Sequence, residues 1–81
     1  MIELYAVKDI VSGLFAAPVA FKNTASACRW FNTIVRDSKF AASDFQLFQI
    51  GLMSDETGQV FAQDDEGIFP RFICSGVDDV E

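Results

Sequence analysis

Four cationic side chains, Lys22, Arg29, Arg36 and Lys39, fall in a stretch whose only acid is Asp37, so that residues 22–39 are locally +3 in a chain of net charge −6. Cations spaced in this way can follow a run of phosphates, which is the electrostatic half of single-stranded nucleic-acid binding. The other half is an exposed aromatic face on which bases stack, at about 1–3 kcal/mol per base. Nine Phe, Trp30 and Tyr5 supply candidates. The acids gather elsewhere, at Asp55 and Glu56, at Asp64, Asp65 and Glu66, and at a terminal Asp78, Asp79 and Glu81. At long range they oppose attraction to a polyanion.

Enzyme chemistry is poorly supplied. There is no His, so the commonest general base and the commonest nitrogen metal ligand are both missing. Cys28 and Cys74 are too far apart for a Cys-x-x-Cys site and too few for a disulfide framework; they read as small apolar side chains in a reducing compartment. The five glycines are scattered singly, without a phosphate loop or dinucleotide fingerprint. The best carboxylate pair, Asp44 with Asp55 or Glu56, has no activating base beside it in the sequence. We therefore expect a protein that is not an enzyme, with no catalytic, metal or cofactor site. An acidic imitation of DNA would need carboxylates at fixed spacing, which nothing in the sequence supplies.

A chain of 81 residues builds one core, here expected over residues 1–77 with an acidic tail over 78–81. No apolar run reaches the roughly 20 residues of a membrane span, and Glu3, Lys8 and Asp9 interrupt the start where a signal peptide would be apolar. A soluble, unprocessed chain with no membrane partner is the expectation.

Residues 2–8 alternate as a half-buried strand. Leu14 to Phe21 reads as a second strand, which Pro18 confines to an edge or a bulge because proline lacks the ladder donor. Asn23-Thr24 can cap a helix running to about Arg36 or Asp37. On that helix Thr24, Ala27, Cys28, Trp30, Phe31, Ile34 and Val35 fall within an arc of about 160°, the face presented to a sheet. Arg29 and Arg36 point the other way, about 10 Å apart along the axis. Phe45 to Met53 is the strongest strand, Asp55-Glu56-Thr57-Gly58 suits a tight turn, and Val60 to Gln63 returns. Ile68 to Cys74 adds an edge strand restricted by Pro70. The sum is an α+β domain of order β-β-α-β-β-β: an antiparallel sheet of four to five strands with one amphipathic helix packed on one face. One helix leaves the other face open. Tyr5, Val7, Phe15, Phe48, Ile50 and Phe61 are its candidate residues, and an apolar face of that size points to a homo-oligomer, the alternative being that loops and the C-terminal segment fold back over it. Tyr5, Phe48, Ile50 and Phe61 are accordingly the expected oligomer or stacking face; Phe40 is a further stacking candidate.

The order of these pieces resembles the small non-structural proteins of gokushovirus-like microviruses, phages with single-stranded DNA genomes. The resemblance runs through Tyr5-Ala-Val-Lys-Asp9, Pro18 and Phe21, then the helix residues Ala27, Arg29, Phe31, Val35 and Asp37. Its most specific stretch is Asp44-Phe45-Gln46-Leu47-Phe48-Gln49-Ile50-Gly51 followed by Asp55-Glu56-Thr57-Gly58. Leu52, Met53 and Ser54 depart from the family's usual residues after the strand glycine, the connection from Asp37 to Asp44 is short, and no match extends beyond Val60. The resemblance implies a non-enzymatic phage accessory protein acting in the host bacterial cytoplasm, with single-stranded DNA or the viral replication and packaging proteins as partners. Lys22, Arg29, Arg36 and Lys39 are the expected nucleic-acid-binding residues. The alternative is a self-associating protein-interaction module that binds no nucleic acid.

Overall fold

The computed structural model describes residues 1–78. Alternation at the start of the chain produces β1 (Ile2–Asp9), which lies antiparallel to its long neighbour across the centre of the sheet. Asp9 closes the following turn, its carboxylate accepting from the Val11 amide at 2.9 Å, and Gly13 takes a φ of 76° there. The next apolar run splits into β2 (Leu14–Phe15) and β3 (Val19–Phe21), both paired to β1 on its outer side. The break falls at Ala16-Ala17-Pro18, where proline cannot donate to a ladder. The strand expected there is thus two short edge pieces.

Helix α1 (Thr24–Arg36) begins where its cap predicts: the Asn23 side chain accepts from the Ser26 amide at 2.8 Å. Arg36 lies in the last turn, where a cation is favoured by the helix dipole. A 3-10 turn (Ala42–Asp44) leads into β4 (Phe45–Met53), the partner of β1. Beyond it, the Gly58 amide donates to the Ser54 carbonyl at 2.8 Å with Gly58 at φ 76°, the positive angle that a glycine accepts without strain. The returning strand is shorter than expected. It comprises β5 (Val60–Phe61), after which β6 (Gln63–Asp64) and β7 (Gly67–Ile68) form a separate small hairpin. Pro70, following a cis Phe69–Pro70 bond, precedes β8 (Arg71–Ser75), which pairs with β4 beside β5. The main sheet is therefore four strands wide, with β2 and β3 sharing one edge and β5 and β8 the other.

The core lies between α1 and one face of this sheet. Tyr5, Val7, Ala27, Phe31, Val35 and Leu47 are buried together, flanked by Phe21, Cys28, Trp30, Phe45, Ile73 and Cys74. Gly76 closes the far side: a Cβ there would stand 2.0 Å from the Ala42 carbonyl oxygen, so only glycine lets the end of β8 pass so close to the 3-10 turn. Asp78, assigned from sequence to an acidic tail, accepts from the Ser43 hydroxyl at 2.7 Å. Residues 79–81 of that expected tail lie outside the described residues.

Candidate functional site

Arg29 and Arg36 are exposed on α1, with Lys22 just before the helix and Lys39 just after it. Lys22, Arg29, Arg36 and Lys39 are all exposed, and none makes an ion pair among the described residues. They form a line rather than a cluster, since the 13-residue helix between the two lysines is about 20 Å long at 1.5 Å per residue. Lys22 sits at one end near Ile2, Phe21 and Ser26; Arg36 sits at the other, sharing a cleft of about 290 Å³ with Asn32, Val35, Phe40, Ala42, Val77 and Asp78. Phe40, next to Lys39, is 70% exposed. This end therefore combines guanidinium, ammonium and a free aromatic face. Asp78 is the acid in the cleft, and the hydrogen bond from the Ser43 hydroxyl, followed by amide donors, holds its carboxyl below the ordinary value.

Asp37 caps α1 beside Arg36, and Asp9 and Asp44 lie near Phe45, so single acids share this end; the paired acids Asp55 and Glu56 do not. β1 and β4 run antiparallel, with Asp9 opposite Phe45 and Ile2 opposite Met53. The Phe45 end lies against Ile34, Val35 and Ser38. The Ser54–Gly58 turn with Asp55 and Glu56 follows the opposite end of β4, where the N-terminal amine meets Asp55 at 3.6 Å. Asp64 is taken up by Arg71, whose Nη1 donates to Oδ2 at 3.0 Å and whose Nη2 donates to the Gly67 carbonyl at 2.7 Å. That contact, ahead of the amide donors, pulls the Asp64 carboxyl below its ordinary value.

The face of the sheet away from α1 is aromatic. Phe15 on β2, Phe48 on β4 and Phe72 on β8 form a row, with ring centroids 5.3 and 5.7 Å apart and both pairs edge to face at 72°. Ala6, opposite Phe48 on β4, is 1% exposed although no helix covers it. Lys8 lies 5.7 Å from the Phe15 ring centre. Beside the row, Ala6, Phe15, Ala16, Pro18, Ile50 and Pro70 line a recess of about 300 Å³.

Three residues expected on this open face, Tyr5, Val7 and Phe61, are elsewhere. Tyr5 is fully buried under α1, with its hydroxyl donating to Glu3 at 2.6 Å and within 2.6 Å of the Thr24 hydroxyl. Burial first, then the Glu3 contact, pushes the phenol up to about 12. Its polar tip finds partners at the helix start, so the ring is free to join the core. Phe61 pairs with Leu52, and Leu52 with Glu3, which pairs with Phe21. Directly paired residues share a face, which carries Phe61 to the side of Glu3 and Phe21 rather than that of Phe48. The expected phase of β1 reverses for the same reason, with Tyr5 and Val7 toward α1 and Ala6 and Lys8 away. Phe48 and Ile50 do lie on the open side. Phe72 joins them on β8; Pro70 marks the edge of that strand in the sequence, but nothing there marks the face of the ring two positions on.

Cys28 and Cys74 are brought side by side between α1 and β8, free and half-buried. Burial, then the neighbouring Cys28, pushes the Cys74 thiol up to about 11, the behaviour of packing residues rather than nucleophiles. Among the described residues no three ligating side chains gather into a metal site, and no helix is long and apolar enough to cross a membrane.

The sequence from Ile2 to Asp78 matches the family of the Phage ORF5 protein. The chain belongs to that family. Its origin in a bacteriophage follows, and the match spans every described element, so both the cationic side of α1 and the aromatic row are parts of a phage ORF5 domain. No curated protein and no solved structure matches the chain.

Proposed function

We propose that this phage ORF5 protein is a non-enzymatic accessory factor that binds single-stranded DNA along the outward side of α1. It acts in the host bacterial cytoplasm, during replication and packaging of a microvirus-like genome. The observation that carries the reading is the run of exposed Lys22, Arg29, Arg36 and Lys39, none in an ion pair among the described residues, beside an exposed Phe40 that shares a cleft with Arg36. Charge alone does not forbid it: screening shortens electrostatic reach to about 10 Å at 0.1 M salt, so a strand lying on α1 responds to the local cations more than to distant acidic turns. Phosphates follow the helix line, and one base stacks on Phe40.

Four phosphate contacts give a slope of log affinity against log salt of about −2.8 for a single strand. Anisotropy of a labelled oligonucleotide in a salt series measures that slope. Binding absent at low salt overturns the proposal. The alternative reading, a protein-interaction module, is favoured by the apolar row on the opposite face. It predicts no oligonucleotide binding at any salt concentration.

A further inference from the structure

An antiparallel sheet tolerates one wet face when that face is polar. Here Gln46 and Ser75 are polar at one end, but the middle is apolar. Phe15 and Phe72 keep 45% and 55% of their surface exposed at the two margins of the row, with Phe48 between them and Ile50, Pro18 and Pro70 alongside. The pairing registers put Glu3, Asp9 and Arg71 on the α1 side, leaving Lys8 as the charge among the strand residues of the uncovered side. That lysine lies over the Phe15 ring.

From this geometry we infer that two copies of the chain pack back to back through Phe15, Phe48 and Phe72. Size supports this occupant. β1 and β4, of 8 and 9 residues, are about 27 Å long at roughly 3.3 Å per residue, and four strands are about 19 Å across. The footprint is about 500 Å² per copy, so a pair buries about 1,000 Å², the lower bound for a specific contact.

Symmetry supports it as well. The row has a protruding ring at each margin, Phe15 on β2 and Phe72 on β8, and a recess of about 300 Å³ bordering Phe15. A two-fold axis near Phe48 sets each copy's Phe72 against the other's Phe15 and its recess, which is the self-complementary arrangement of a two-fold dimer. Charge argues against a nucleic acid as the occupant. A nucleic-acid strand would meet one cation there, and the main-sheet strands present no carboxylate on this face, so two chains of net −6 can meet without strand carboxylates facing each other. Packed this way, both cationic helices face outward. The inference does not depend on DNA binding.

Light scattering of the DNA-free protein from about 1 to 100 µM, a range that brackets micromolar dissociation constants, tests it. The wild type is expected to rise to twice the monomer mass. Phe72→Glu, a change at a half-exposed edge ring, should stay monomeric with its helical circular dichroism intact. Phe40→Glu, on the other side, should dimerise as the wild type does. Should Phe72→Glu fail to fold, Phe15→Lys makes the same test at the opposite margin. A wild type monomeric at the highest concentration overturns the inference, as does a folded Phe72→Glu that dimerises normally.

Discussion

The two faces of the sheet carry similar apolar side chains and meet different fates. Between α1 and the sheet, the strand residues Tyr5 and Leu47 are fully buried with Phe31 of the helix, and the one polar tip among them is satisfied by Glu3 and Thr24. On the reverse, Phe15, Phe48 and Phe72 touch one another yet remain partly open. A ring on the first face holds the domain together; a ring on the second lies against solvent until something covers it. Apolar residues in one strand can therefore serve two purposes, folding on one side and association on the other, and alternation decides which serves which.

The largest contrast is energetic. Phe31→Ala should cost about 3–5 kcal/mol, a large share of the roughly 4–12 kcal/mol typical of a chain this long, whereas Phe72→Ala should change monomer stability by under about 1 kcal/mol. Urea denaturation at low protein concentration compares them; equal losses would erase the distinction between the faces.

Tyr5 sharpens the comparison by pH. Its phenol is pushed up to about 12 by burial, with the Glu3 carboxylate adding to the effect. The folded state thus favours the neutral ring. The stability gained is fully present below the unfolded value near 10 and is lost as pH rises through about 12. Since Tyr5 is the sole tyrosine, phenolate absorbance reports it directly. A midpoint near 10 in the folded protein would place the ring in solvent.

A smaller effect is expected at the helix start. Asn23→Ala removes the acceptor for the Ser26 amide and should cost about 1 kcal/mol, read as a lower denaturation midpoint with unchanged slope. No change would mean that packing alone holds the first turn.

Much of this architecture was legible in the sequence for local reasons. Asn23 marked the start of α1, the arc containing Ala27, Phe31 and Val35 marked its buried side, and Gly58 marked a turn with positive φ. Pro18 foretold an edge but not the division into β2 and β3, which depends on how β1 receives each piece. The phase of β1 was not legible: Tyr5 and Ala6 differ by one position, and choosing between faces requires knowing that the phenol reaches Thr24, nineteen residues on. The side of Phe61 was not legible either. Its side follows from pairing with Leu52, across the Ser54–Gly58 turn, and β4 has an irregular register with β1 between Leu4 and Tyr5. Of the candidate site, the cations on α1 could be read from helical spacing. The meeting of Arg36, Phe40 and Asp78 in one cleft could not, since it depends on how the chain returns past Ala42.

The separation of the two surfaces is the central claim, and one measurement tests it most directly. Oligonucleotide anisotropy at low salt is recorded for the wild type and for the double variant Arg29→Glu, Arg36→Glu, with light scattering on the same DNA-free stocks. The account predicts that the double variant loses at least about tenfold in affinity, equivalent to about 1.4 kcal/mol, while dimerising like the wild type. A folded double variant that binds as tightly as the wild type would contradict it.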